Sequence, residues 1–210
     1  TLGAKETLGN VGQKKPKKIV RLPANLRKNF FDGDRRHGYG GFSYNPRFWY
    51  PVVPTFQDFY KLSPESFLFD VGCAKGFMLN DFSSLIPGLN VCGVDVSKYA
   101  IEHGKREIKD RLQICNATEL PYSDQHFDLV FSINTFHNLR NYDLMAALKE
   151  MQRVGRDRHY ICVESYRNQR EKANLLYWQL TCESFYRPEE WAWFYHLADY
   201  KGDTDFIYFE

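Results

Sequence analysis

No apolar run in the 210-residue chain reaches the roughly 18 residues that a membrane-crossing helix needs, so the pattern reads as a protein without a helical span. The opening stretch "TLGAKETLGNVGQKKPKKIV" has no apolar segment of the kind that forms a secretory leader. C-x-x-C pairs are missing as well, which leaves no zinc motif and no metal site to expect. The five cysteines, Cys73, Cys92, Cys115, Cys162 and Cys182, are odd in number, and three of them (Cys92, Cys115 and Cys162) fall in strand-like apolar stretches. Cysteine used as a small hydrophobe fits a reducing, cytoplasmic setting better than a disulfide scaffold. Internal repeats and low-complexity blocks are also lacking, which excludes solenoids and arrays.

Charge is balanced overall and unbalanced locally. Residues 1–30 hold eight Lys/Arg against Glu6 alone, a net of +7, and the remaining 20 basic and 25 acidic residues give residues 31–210 a net of −5. A body that grips a nucleic-acid backbone is normally basic, so nucleic acid is not the expected partner. Residues 1–22 are polar, lysine-rich and aperiodic, and read as a basic disordered tail.

Aromatic residues make up 17% of the chain and concentrate first in "NFFDGDRRHGYGGFSYNPRFWYPVVP", residues 29–54. Rings interleaved with glycine and proline resemble neither helix nor strand. Residues 23–60 therefore read as an N-terminal segment ahead of a domain over 61–210. From Ser66 onward, strands and helices alternate: strands "SFLFDVG", "LNVCGVDV", "LQIC", "FDLVFSIN", "HYICVES" and a closing "TDFIYFE". Between or after them come helical stretches at 75–85, 97–108, 143–154, 170–181 and 187–200. Such alternation predicts an α/β fold with a doubly wound, mostly parallel sheet.

The first strand runs into "DVGCAKGF", residues 70–77, where the ligand of an open α/β sheet belongs. No Gly-Lys-Ser/Thr follows, so a phosphate loop is excluded. A dinucleotide fingerprint would need glycine where Ala74 and Phe77 stand, and Asp70 would repel a pyrophosphate. An acid at that strand end suits a cationic ligand.

The pattern Asp70-x-Gly72-x-Ala74-x-Gly76 resembles motif I of class I S-adenosylmethionine-dependent methyltransferases. Asp95 ends the second strand, where a carboxylate can accept from both ribose hydroxyls. "LPYSDQHFDLV" and "INTFHNL" look like the corresponding stretches of that family's small-molecule branch. The resemblance implies S-adenosylmethionine as cofactor and S-adenosylhomocysteine as product. It places Asp70, Gly72, Cys73, Ala74, Gly76, Asp95, Val96, Asn116, Ala117, Thr118 and Asn134 around the cofactor. Ala74 replaces the usual central glycine, which is tolerable with a negative φ there, Asn116 stands where aspartate is common, and the sheet is expected one strand short of seven.

For the acceptor, the resemblance implies a small molecule, with a sugar or biosynthetic intermediate as one expectation. His137, just past the fourth strand, is the candidate base, or else a histidine that shapes the cofactor pocket. Arg36, His37, Tyr39 and Tyr44 are candidate acceptor-binding residues, either on a closing lid or on a cap over the sheet edge, with Trp178 a second wall or core. Two other readings stay open: an RNA or protein methyltransferase docking through the basic tail, and a non-catalytic cofactor-binding protein.

Overall fold

The computed structural model describes residues 28–210, and the basic stretch 1–22 lies outside the described residues. Six strands form one sheet: β1 (Phe67–Val71), β2 (Asn90–Asp95), β3 (Leu112–Ile114), β4 (Leu129–Ile133), β5 (His159–Glu164) and β6 (Asp203–Ile207). Their order is β3-β2-β1-β4-β5-β6, and every pairing is parallel. The order reverses between β1 and β4, so the crevice at the carboxyl ends of those strands is the natural ligand site. This is the doubly wound, six-stranded Rossmann-like sheet that the alternation predicts.

The helices are α1 (Lys28–Asp32), α2 (Val53–Tyr60), α3 (Phe77–Leu85), α4 (Lys98–Glu102), α5 (Asn141–Val154), α6 (Gln169–Trp178) and α7 (Pro188–Leu197). Two apolar layers follow from the two-residue period of the strands. Leu68, Leu129 and Phe131 face α2 and α3, where Val53, Phe56, Leu79 and Phe82 close the packing. Phe69, Val71 and Val130 face α5 and α7, with Leu144, Leu148, Met151 and Trp191 opposite. Phe69 stacks on Phe127 with ring centroids 4.4 Å apart, a contact that seals the sheet under α5. Removing a ring from either layer would leave a cavity and cost roughly 3–5 kcal/mol.

Two local expectations change. The helix expected over 97–108 stops at Glu102, because Gly104 and Lys105 turn back to the glycine loop: Lys105 donates its N–H to the Lys75 carbonyl at 2.9 Å. Tertiary pairing there overrides helical propensity. The aromatic segment is also less irregular than it reads, for Lys28–Asp32 is helical and Arg35–His37 makes a 3₁₀ turn capped by Asp34.

Candidate functional site

The glycine loop leaves β1 as a sharp turn. Gly72 has φ +94°, and a Cβ there would sit 2.1 Å from Thr135 Oγ1, so only glycine fits between β1 and the turn after β4. Gly76 caps α3 in the left-handed region. Ala74 does not keep the negative φ expected for it. Its φ is +48°, and the strain is held by a hydrogen bond from its N–H to Asp95 Oδ2 at 2.9 Å. Cys73 turns its side chain into the core against Gly93, so only its backbone faces the crevice.

Asp95 serves two backbone segments at once, with Oδ1 accepting from Ser97 N–H at 2.7 Å and Oδ2 from Ala74. Each oxygen keeps lone-pair capacity for a further donor. Burial pushes its carboxyl above the usual range, and the N–H groups of Ser97, Ala74 and Val96 pull it back only in part. Asp70, 6% exposed, makes no side-chain hydrogen bond among the described residues. Burial, then the charge of Asp95, raises it well above the carboxylate range. Two acids thus face one crevice without a cation, an arrangement that asks for a positively charged ligand.

Asn134 adds a third open group. Its φ is +55°, and its buried Oδ1 has no hydrogen-bond partner. An orphaned buried acceptor costs about 1–3 kcal/mol until a donor reaches it. At the end of β3, Asn116 Oδ1 accepts the Thr118 N–H at 3.1 Å and fixes the loop through Ala117. Asp70, Asp95 and Asn134 thus leave acceptor capacity open at the carboxyl end of the sheet.

Residues 28–50 cover this crevice. Asp32 accepts from Lys75 Nζ through both oxygens, from Tyr99 Oη at 2.8 Å and from the Phe42 N–H at 3.0 Å. Lys75 Nζ also donates to the Phe42 carbonyl at 2.8 Å. The rings of Phe31, Tyr39, Phe42 and Phe77 pack around this knot. Tyr39 is 46% exposed as a residue, while its hydroxyl lies within reach of the charges of Glu164 and Asp95. Burial, then the charges of Glu164 and Asp95, pushes it up to about 12.

The other expected acceptor contacts divide. The Tyr44 hydroxyl donates to Asp81 of α3 at 2.5 Å, which makes it an anchor of the cover and not a pocket wall. Arg36 is tied to Asp34 at the surface, and His37 is exposed beside it. Arg35, the other guanidinium of the pair, lies over the Trp178 ring at 5.4 Å. Trp178, 53% exposed, is not core, and it joins the cover to the end of α6.

His137 lies in the 3₁₀ turn Phe136–Asn138, 1% exposed, with Nδ1 unpaired. Burial lowers it to about 4, so it is neutral at physiological pH. Its Nε2 stands 3.8 Å from Glu164 Oε2, at the end of β5. Glu164 went unnoticed in the sequence, where it closes an apolar strand without any motif. Burial raises it to about 7, offset in part by the side-chain hydrogen bond from Gln179.

A parallel sheet with a glycine turn and two acids at its switch point defines a class I cofactor-binding methyltransferase fold. Residues 69–163 match the family described as a methyltransferase domain. It is 33% identical over 114 residues to the demethylmenaquinone methyltransferase of Symbiobacterium thermophilum, covering 49% of this chain and 43% of that protein. It is 27% identical over 107 residues to an uncharacterised methyltransferase of Schizosaccharomyces pombe, covering 45% of this chain and 38% of that one. The match thus spans less than half the length of either curated relative. The YcgJ protein from Bacillus subtilis shares the fold with a TM-score of 0.58 at 19% identity, over 70% of this chain and 67% of that chain. Among the described residues no helix is long and apolar enough to cross a membrane.

Proposed function

We propose that the chain transfers a methyl group from S-adenosylmethionine to a small-molecule acceptor held under residues 28–50. The observation that carries this is the acid pair Asp70 and Asp95, the first buried and the second half-buried, without a cation beside the unpaired Asn134 Oδ1. When bound, the cofactor supplies a methyl group on a positively charged sulfur. Asp95 would hold the ribose hydroxyls, Asp70 would offset positive charge, and Asn116 with Ala117 and Thr118 would meet the adenine edge.

The protein's remaining work is alignment and exclusion of water. Tyr39 from the cover and Trp178 from α6 would flank the acceptor, and His137 would shape its floor. The acidic balance of residues 31–210 supports a small neutral acceptor over a polyanion. A quinone-type ring, as in the name of the Symbiobacterium relative, belongs to that class. Five free cysteines fit the cytoplasmic setting.

The test incubates the protein with tritiated S-adenosylmethionine and separate small-molecule, RNA and protein fractions of a cell extract. Label in the small-molecule fraction is expected. Label confined to RNA or protein would overturn the acceptor class, and failure to bind S-adenosylhomocysteine by calorimetry would overturn the reading as a whole.

A further inference from the structure

Buried acids in this protein mostly have an evident reason. Glu171 is held by Arg167, Asp81 takes both the Tyr44 hydroxyl and the Asn80 amide on Oδ1 while its buried Oδ2 stays unpaired, and Asp70 faces the crevice. Glu164 has no such reason. It is 5% exposed, its charge meets no lysine or arginine, and its Oε1 makes no hydrogen bond among the described residues. The one hydrogen bond it receives, from the Gln179 amide to Oε2, leaves a largely buried carboxylate without a countercharge, which favors its protonated form.

Its position is specific. Parallel pairing sets Glu164 opposite Ile207 of β6, at the carboxyl edge of the sheet where the crevice opens. His137 approaches from the turn after β4, Gln179 from beyond α6, and the Tyr39 hydroxyl from the cover lies within its electrostatic reach. The other titratable groups that feel it are the thiols of Cys162 on β5 and Cys182 beyond α6, both raised first by burial and neutral at physiological pH. The 3.8 Å gap to His137 Nε2 is too long for a hydrogen bond, so the two groups are juxtaposed without being bonded.

We infer that Glu164 is the proton acceptor of the reaction, with His137 beside it to share the charge, and that the acceptor is a small uncharged compound whose O–H or N–H proton leaves on methylation. This rests on the methyltransferase reading above. In the step, the acceptor oxygen or nitrogen forms a bond to the methyl carbon as the sulfur–carbon bond breaks. The departing proton passes to the Glu164 carboxylate. The products are the methylated acceptor, S-adenosylhomocysteine and a protonated Glu164–His137 pair, which returns one proton to water. A carboxyl held near 7 is matched to this task, because a base works best near the ambient pH. Three acids at the crevice disfavor an anionic acceptor, and the Tyr39 and Trp178 rings suit a flat one.

The test uses the full chain, tritiated S-adenosylmethionine and three acceptor probes (catechol, hydroquinone and aniline) from pH 5.5 to 9. The wild-type rate should rise through an inflection near 7 with at least one probe. Glu164→Gln should lower turnover by about 100-fold and abolish the inflection, with affinity for S-adenosylhomocysteine kept within about twofold. Glu164→Asp should retain the inflection at a reduced rate. A Glu164→Gln protein with the wild-type pH profile would overturn the assignment, and so would failure of all three probes in a protein that binds S-adenosylhomocysteine. Should the variant not fold, carbon-13 titration of the wild-type carboxyl decides independently: titration near 7 supports the inference, and titration in the ordinary range below 5 overturns it. A wild-type protein that does not bind S-adenosylhomocysteine would instead refute the methyltransferase reading.

Discussion

Lys75 Nζ lies 2.6 and 2.9 Å from the two carboxylate oxygens of Asp32, so the glycine loop and the segment that covers the crevice share one ion pair. The lysine side chain is 8% exposed and the aspartate 27%. Burial pushes the Asp32 carboxyl up, but hydrogen bonds from Lys75, Tyr99 and the Phe42 N–H outweigh it and hold the group below its usual value.

Lys75→Met keeps the stem and removes the charge. Leaving Asp32 half-satisfied should cost about 1–3 kcal/mol, measurable by denaturant unfolding. Hydrogen exchange should rise across residues 30–42 and stay unchanged in α5. An unaltered exchange pattern would mean the rings alone hold the cover.

Asp95→Ala should weaken S-adenosylhomocysteine binding at least about tenfold, through loss of two charge-assisted hydrogen bonds. Melting temperature should fall as well, because Ala74 and Ser97 lose their shared acceptor. Calorimetry showing unchanged affinity in a folded variant would refute the ribose assignment.

Asp70→Asn separates fold from ligand. The folded carboxyl titrates above its unfolded value near 3.8, so the stability it contributes is complete below that pH and is lost as pH rises toward the folded value. Cofactor-free Asp70→Asn protein should therefore melt higher than wild type at pH 7 and equal to it at pH 4. It should also bind S-adenosylhomocysteine more weakly. A variant that is less stable at pH 7 would show that Asp70 has a structural partner.

Ala74→Gly relieves a left-handed alanine, worth about 1–2 kcal/mol, against an unfolded-state entropy cost of about 0.5–1 kcal/mol. The expected result is a net gain of up to about 1.5 kcal/mol in unfolding free energy, read from denaturant unfolding. A loss of more than that would mean the Ala74 methyl packs productively.

The sheet was readable because each strand is a short apolar run closed by a turn, and parallel order follows from alternation with helices. The placing of Asp70, Gly72, Gly76 and Asp95 around the first turn of the sheet was readable because a motif fixes their spacing along consecutive elements. Glu164 was not, since an acid ending "HYICVE" carries no local pattern, and its burial comes from Gln179 and His137, 15 and 27 positions away. Lys75 stood in plain view but was weighed only against phosphate binding, and its partner Asp32 lies 43 residues upstream. Tyr44 and Arg36 were misplaced because composition marks a ring-rich cover without saying which way each ring or guanidinium points. Ala74 was misjudged because spacing along a motif fixes no dihedral, and only the bond to Asp95 shows what holds it left-handed.

The cover also has an order of assembly written into it. Its anchors Lys75, Phe77, Asp81 and Tyr99 come within the next seventy or so residues of the chain, on elements that leave a ribosome early. Glu164, Gln179 and Trp178, which face Tyr39 and Arg35, are synthesised much later. A nascent chain can thus dock the cover on the cofactor half before the acceptor half exists. The contacts that β5 and α6 make with the cover, through Glu164 and Trp178, therefore form after those of the glycine loop and α4.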